Sequence, residues 1–259
     1  MLSLVVYPFS RRLFRAFNCG LAGWWWGCSV VASEKINGIR RFRTGDELPP
    51  KENAVVIANH ESMPDVVVVL SVSREAGCLS RMKWFAKNAL RYVPALGWGL
   101  GFLDTLFLKR HWEQDKTSIE KTFGKFIHER IPVWLTFFPE GTRITPAKSE
   151  GSKQYAVKHG LQPLDCVLIP RTKGFIASVR ALETTIHAVY DITIAYPSGI
   201  PSLWQWMAGW PCGYHVHVRR FPVETLSSDD VSLAQWLLKR YEEKEVLLNY
   251  FFDHGHFPK

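Results

Sequence analysis

Residues 133–138 read Val-Trp-Leu-Thr-Phe-Phe, an apolar run with almost no polar alternation, and it stops at Pro139. A strand with one wet face alternates apolar and polar residues; a run without alternation is what a strand covered on both faces carries. Residues 54–58, Ala-Val-Val-Ile-Ala, repeat the pattern. Two such strands need helices on both sides. The chain supplies candidates at 113–130, where Ile119, Phe123, Phe126 and Ile127 recur at helical spacing, and at 147–159, stopped by Gly160. Further strands are expected at 82–86, 104–108, 166–169, 188–195 and 214–218, with helices at 66–72, 175–182 and 229–249. The charged 229–249 stretch is expected to be a solvated outer face. Strands alternating with helices give an α/β fold: a single domain with a mixed sheet covered by helices, preceded by an N-terminal hydrophobic membrane-associating segment. A polar, Pro-containing connector at 45–52 suggests division into 1–44, 45–223 and a C-terminal helical extension, 224–259.

Both buried runs end in reactive residues. His60 follows the first by two positions, and Asp65 lies five further on. Imidazole accepts a proton near neutral pH, and a carboxylate on one ring nitrogen fixes the tautomer that leaves the other free. Pro64 suits the first turn of a helix, which would fold Asp65 back toward the strand end. Ser62 to Asp65 also fits a capping box in which Asp65 merely satisfies backbone donors, and taken alone the spacing favours that structural reading. The second run ends in Glu140, Gly141, Thr142 and Arg143. Gly141 permits close approach of backbone N–H groups to an anion, Thr142 adds a hydroxyl, and Arg143 adds a fork that can grip phosphate through two hydrogen bonds. A lone turn of this kind is usually a surface turn with a solvated arginine. A base–carboxylate pair and an anion turn, each directly after a buried strand, are a far more specific combination.

With Asn59, these two stretches resemble the N-H-x-x-x-x-D and F-P-E-G-T-R motifs of the glycerophospholipid acyltransferases, the family of 1-acylglycerol-3-phosphate acyltransferases. Residues 87–110 resemble the family's second block, with Pro94, Gly97 and the closing Phe107, Leu108, Lys109 and Arg110, although the family more often closes with Asp-Arg. Residues 167–174, including Pro170, resemble the fourth block; 188–193, 243–248 and 255–258 resemble the eukaryotic branch that includes lysocardiolipin and lysophosphatidylinositol acyltransferases. The resemblance implies transfer of a fatty acyl group from acyl-CoA, a co-substrate, to a free hydroxyl of a lysophospholipid acceptor. The acceptor expected first is 1-acylglycerol-3-phosphate or another anionic lysolipid. It further implies His60 as general base oriented by Asp65. Glu140, Gly141, Thr142, Arg143 and Arg110 would hold the acceptor's phosphate, supported by Asn59, Lys87 and Pro170. No cofactor and no metal are implied. The implied location is a membrane with the site facing the cytosol, in a eukaryote the endoplasmic reticulum or another endomembrane.

Net charge is +8 over 259 residues, and the excess is local: residues 1–43 hold seven Lys/Arg against one Glu. Interleaved with Trp and Phe, that basic segment suits a membrane surface better than a duplex, and no nucleic-acid motif is present. Residues 16–33 are uncharged for 18 positions and include Trp24, Trp25 and Trp26, the expected anchor, whether embedded or interfacial; the plain alternative is a helix docked on the domain. Trp204, Trp206, Met207 and Trp210 suggest either a second lipid-entering patch or burial against the sheet. For the glycine-rich 95–102, core packing is the default and a wall of an acyl channel the functional option. The five cysteines show no C-x-x-C spacing and are expected to be reduced, mostly buried thiols. His215 and His217 fit strand alternation better than a metal site. Rival functions are a non-catalytic lipid-binding or membrane-shaping protein, and a hydrolase, for which the G-x-S-x-G elbow is missing.

Overall fold

The computed structural model describes residue 5 and residues 7–94, 96–109, 111–210, 212–227 and 229–258. Seven strands, β1 (Arg40–Gly45), β2 (Ala54–Ala58), β3 (Met82–Lys87), β4 (Leu106–Leu108), β5 (Trp134–Phe137), β6 (Ala188–Ala195) and β7 (Gly213–Pro222), form one sheet in the order β1-β7-β6-β2-β5-β3-β4. From β6 to β4 neighbours are parallel; β7 runs antiparallel to β6, and β1 parallel to β7, so the sheet is mixed. The helices are α1 (Arg11–Val31), α2 (Asp65–Glu75), α3 (Leu96–Phe102), α4 (Trp112–His128), α5 (Pro146–Lys158), α6 (Thr172–Leu182), α7 (Leu203–Met207) and α8 (Asp230–His254).

The uninterrupted apolar runs are explained by two cores. On one face Val55, Ile57, Leu135 and Phe137 meet Phe123 and Phe126 of α4, Phe175 of α6 and Leu237 and Phe251 of α8. On the other, Ala54, Val56, Ala58 and Trp134 meet the valines of α2, Val30 of α1 and Trp206 of α7. Successive residues of β2 thus face opposite cores, and neither face is wet. Each large side chain so covered contributes about 1.5–3 kcal/mol of burial free energy. The same enclosure lets the valine-rich 66–72 stretch be a helix despite its β-branched content: Pro64 sets the entry at φ −51°, and Val68, Val69 and Val72 are fully buried.

Three expectations need correction, and the choice left open at residues 16–33 is narrowed. Residues 166–169 form no strand, because side chains take their backbone amides: Glu245 accepts from Asp165 and Cys166, Glu140 from Leu168, and Ser152 from Ile169. Helix α8 is not simply a solvated exterior, since Leu233, Leu237, Tyr241, Lys244, Leu248 and Phe251 point into the protein. Its ends follow expectation, with the Asp229 carboxylate accepting from the Ser232 amide at 2.8 Å and Gly255 closing at φ 76°. Of the five free cysteines only Cys78 is buried, while Cys28 and Cys212 are exposed. Finally, no helix among the described residues is long and apolar enough to cross a membrane. Helix α1 is instead amphipathic and docked: Phe14, Asn18, Gly23 and Val30 are covered, and Gly23 lets its backbone approach Ser80 so closely that a Cβ would lie 3.0 Å from the Ser80 nitrogen. Arg15 fastens α1 further, to Asp104 at 3.1 Å and Glu129 at 2.6 Å. The sheet draws on residues both sides of Gly45, since β1 ends there.

Candidate active site

β2 and β5 are adjacent, parallel and in register, Ile57 beside Phe137, so the loops that follow them leave the same edge of the sheet. These are the loops of His60 and of 138–143. β6 lies on the other side of β2, also parallel, and delivers Tyr196 to that edge. Ligand sites of open α/β sheets occupy this edge, beyond the carboxyl ends of the strands.

His60 Nδ1 lies 2.9 Å from Asp65 Oδ2. The same oxygen accepts the backbone N–H of Glu61 at 2.6 Å and of Ser62 at 2.8 Å. Both readings of Asp65 therefore hold: it satisfies backbone donors and it orients the imidazole. The capping box is only half formed, because the Ser62 hydroxyl donates instead to the Pro201 carbonyl. Asp65 is fully buried while the His60 side chain is 15% exposed, so the carboxylate is shielded and the ring still reaches the surface. Phe138 lies flat on the imidazole with ring centres 4.0 Å apart.

The second loop is stitched to the first. Glu140 Oε1 accepts the His60 amide at 2.8 Å, Oε2 accepts the Leu168 amide at 3.3 Å, and the Ile144 amide donates to the His60 carbonyl at 3.0 Å. Burial pushes the Glu140 carboxyl up to about 8, against the opposing pull of the His60 and Leu168 amides. With only 4% of its surface open, Glu140 shapes the turn and has no free oxygen for a ligand. Gly141 adopts φ 69°, the left-handed region that suits glycine, and a Cβ there would come within 3.2 Å of Arg171 Nε. Thr142 Oγ1 accepts from Lys148 at 2.6 Å, and Arg143 is exposed. Asn59 is fully buried, its amide oxygen accepting from the Ile194 amide at 2.8 Å and its nitrogen donating to the Ile194 carbonyl at 3.0 Å, which locks the end of β2 to β6. Pro170 is buried beside the turn, where the Arg171 amide donates to the Pro139 carbonyl at 2.9 Å.

The geometry thus gathers Asn59, His60, Asp65, Glu140, Gly141, Thr142, Arg143 and Pro170 at one edge. Lys87 is exposed at the end of β3, beyond β5 on the same edge. Arg110 lies outside the described residues. Missed by sequence reasoning are Arg171 and Lys148, two cations beside Gly141 and Thr142, and Tyr196, whose hydroxyl donates to Asp65 Oδ1 at 2.6 Å. Arg171 and Lys148 lay within recognised stretches and were discoverable as extra cations near the turn; nothing local marked Tyr196. Next to α3 and β4 lies a cleft of about 800 Å³ lined by Tyr92, Trp98, Gly101, Phe102, Thr105 and Phe107, so the glycine-rich segment borders open space on one side. No cluster of metal-ligating side chains occurs among the described residues. His217 instead hydrogen-bonds Thr44 at 2.9 Å, and His215 stacks on Phe42.

Comparison with known proteins identifies the family. The family profile described as Acyltransferase matches residues 40–196, and Acyltransferase C-terminus matches 205–259. A probable 1-acyl-sn-glycerol-3-phosphate acyltransferase 5 of Arabidopsis thaliana is 32% identical over 99% of this chain and 68% of its own length. The human 1-acyl-sn-glycerol-3-phosphate acyltransferase gamma is 34% identical over 99% of this chain and 69% of its own. The fold is shared with the crystal structure of the 1-acyl-sn-glycerophosphate acyltransferase PlsC from Thermotoga maritima, with a TM-score of 0.54, 19% identity, and coverage of 91% of this chain and 82% of that one. The motifs at the sheet edge, the profile across most of the chain and these relatives, matched along 99% of this chain, together establish that the chain belongs to the glycerophospholipid acyltransferase family.

Proposed function

We propose that the protein transfers a fatty acyl group from acyl-CoA to the free hydroxyl of an anionic lysophospholipid, 1-acylglycerol-3-phosphate first among them. The observation that carries this reading is the His60–Asp65 pair, 2.9 Å apart and stitched by backbone bonds to the Gly141 turn. Asp65 holds Nδ1–H, which leaves Nε2 to take the acceptor's hydroxyl proton as the oxygen attacks the thioester carbonyl. The C–O bond forms, the C–S bond breaks, and the proton passes from the imidazolium to the departing CoA thiolate. Base catalysis of this kind lowers a barrier by roughly 3–5 kcal/mol. Gly141, Thr142 and Arg143 hold the acceptor's phosphate, with Lys148 and Arg171 adding positive charge beside them. Glu140 acts one step back, by fixing the turn. The aromatic cleft beside α3 suits an acyl chain.

Membrane association is part of the proposal. Helix α1 turns Leu13, Phe17, Leu21, Trp24 and Trp25 outward on one face, and α7 exposes Leu203, Trp204 and Met207. Helix α7 is tied to the turn that directly follows α1, where the Trp206 indole donates to Ser33 Oγ at 2.9 Å. Trp206 itself is buried, so the tryptophan-rich segment divides between core and surface. Tryptophan and basic residues together favour the interfacial zone of an anionic bilayer.

The test is purified protein on vesicles with acyl-CoA and labelled 1-acylglycerol-3-phosphate, reading free thiol and labelled diacyl product. Wild type should release one thiol per product formed, and His60→Ala should form none while still binding vesicles. Activity retained by His60→Ala would overturn the assignment. Thiol release without an acceptor would point to hydrolysis instead.

A further inference from the structure

Asp65 is reached from outside both motifs. Tyr196, 131 residues further along the chain, is 3% exposed and donates its hydroxyl to Asp65 Oδ1 at 2.6 Å. The other carboxylate oxygen is occupied by His60 and the amides of Glu61 and Ser62. The phenol is not there by accident of packing. β6 carries it to the catalytic edge, in register with β2 from Ala54↔Ala188 to Ala58↔Ile192. Its ring then meets Trp206 edge-on at 6.3 Å. The segment beyond it is fastened again by the Ser62 hydroxyl on the Pro201 carbonyl and by Trp206 on Ser33. Burial, then the negative charge of Asp65, push the Tyr196 hydroxyl well above its usual range, so it stays a donor at any working pH.

We propose that Tyr196 is a positioning residue for acyl transfer, acting through Asp65: it pins the carboxylate so that Oδ2 alone faces His60. Without the phenol, Oδ1 would sit buried with no donor, and the bonds to Oδ2 alone would resist rotation of the carboxylate about its Cβ–Cγ bond. The hydrogen bond also draws charge toward Oδ1. Removing it leaves more negative charge facing the imidazolium and so favours the protonated ring. The inference rests on the reading of His60 as base.

The experiment compares Tyr196→Phe with Tyr214→Phe, which removes a comparably buried hydroxyl from the same aromatic cluster, one that bonds Glu34 at 3.4 Å rather than Asp65. Tyr196→Phe keeps the ring and its contact with Trp206. It should lower kcat roughly tenfold, leave both KM values within about twofold, and move the acid limb of the pH–rate profile upward. Tyr214→Phe should leave kcat and the pH profile unchanged. If Tyr196→Phe shows wild-type kcat and an unmoved pH profile while His60→Ala is inactive, the inference falls and the base assignment stands. If both tyrosine variants lose activity only in step with thermal stability, with the profile unmoved, Tyr196 is merely structural and the inference also falls. An active His60→Ala overturns both.

Discussion

Two carboxylates are fully buried near the end of β2 and are held in opposite ways. Asp65 is surrounded by neutral donors, namely two backbone amides, a phenol and an imidazole. Asp191, in register with Ile57, is held by full charges: Lys244, itself wholly buried, and Arg219 at 2.5 Å, which also pairs with Glu243. A carboxylate satisfied by dipoles keeps its negative charge available to a cation that forms beside it, and that is what a histidine base requires. A carboxylate between two cations is already neutralised and has only a structural role. Desolvation pulls the Lys244 ammonium down and Asp191 raises it, so the pair depends on itself. On the proposed roles, the same residue type on adjacent elements is poised for chemistry in one place and structural in the other, and the partners decide which.

This contrast can be broken most sharply at Asp65. Asp65→Asn keeps an oxygen for both amides and can donate its own N–H to the Tyr196 oxygen, so what is lost is the charge and the acceptor for the phenol's proton. Turnover should fall about 10³–10⁴-fold with the thermal midpoint nearly held, and a loss under tenfold in steady-state assays would erase the distinction. Asp191→Asn should do the reverse. It strands Lys244 as a buried charge and should cost roughly 3–5 kcal/mol in urea unfolding, with turnover per folded molecule unchanged. Arg143→Ala tests the exposed side of the site. It should raise KM for a phosphate-bearing acceptor by about 10–100-fold and leave kcat nearly intact, as measured by varying lysolipid at saturating acyl-CoA.

The smallest effect concerns Glu140, a third buried carboxyl that is neither ringed like Asp65 nor paired like Asp191. Its folded-state value, about 8, stands above its ordinary 4.5, so the folded protein binds that proton more tightly than the unfolded chain does. Its stabilising contribution is complete below about 4.5 and is lost as pH rises through about 8. The midpoint of thermal unfolding should therefore decline across that window in calorimetry. Glu140→Gln should flatten the decline while lowering stability at its acid end by about 1–3 kcal/mol, because an amide can accept from only one of the two N–H groups.

Much of this was legible in the sequence because it is local. The apolar runs of β2 and β5 announce their own burial, and each hands a short reactive stretch to the loop that follows. Adjacency of those strands, which residues 54–58 and 134–137 alone do not state, is what joins the two motifs. Misreadings came where distant partners decide. Residues 166–169 look like a strand, yet Glu140, Ser152 and Glu245 take their amides. The charges of α8 suggest water, yet Lys244 points to Asp191. Among the tryptophans, only packing separates buried Trp206 from Trp204, which is 78% exposed. Tyr196 had no local signature at all.

The double stitch between the His60 and Glu140 loops would turn the candidate active site into a gauge. One fastener joins Glu140 to the His60 amide and another joins Ile144 to the His60 carbonyl, so base and anion turn share a single stiff bracket. On the proposed roles, an acceptor is measured by the reach from its phosphate to its alcohol. Molecules whose reach differs by a bond or two would find base and anion turn fastened at a spacing set for another.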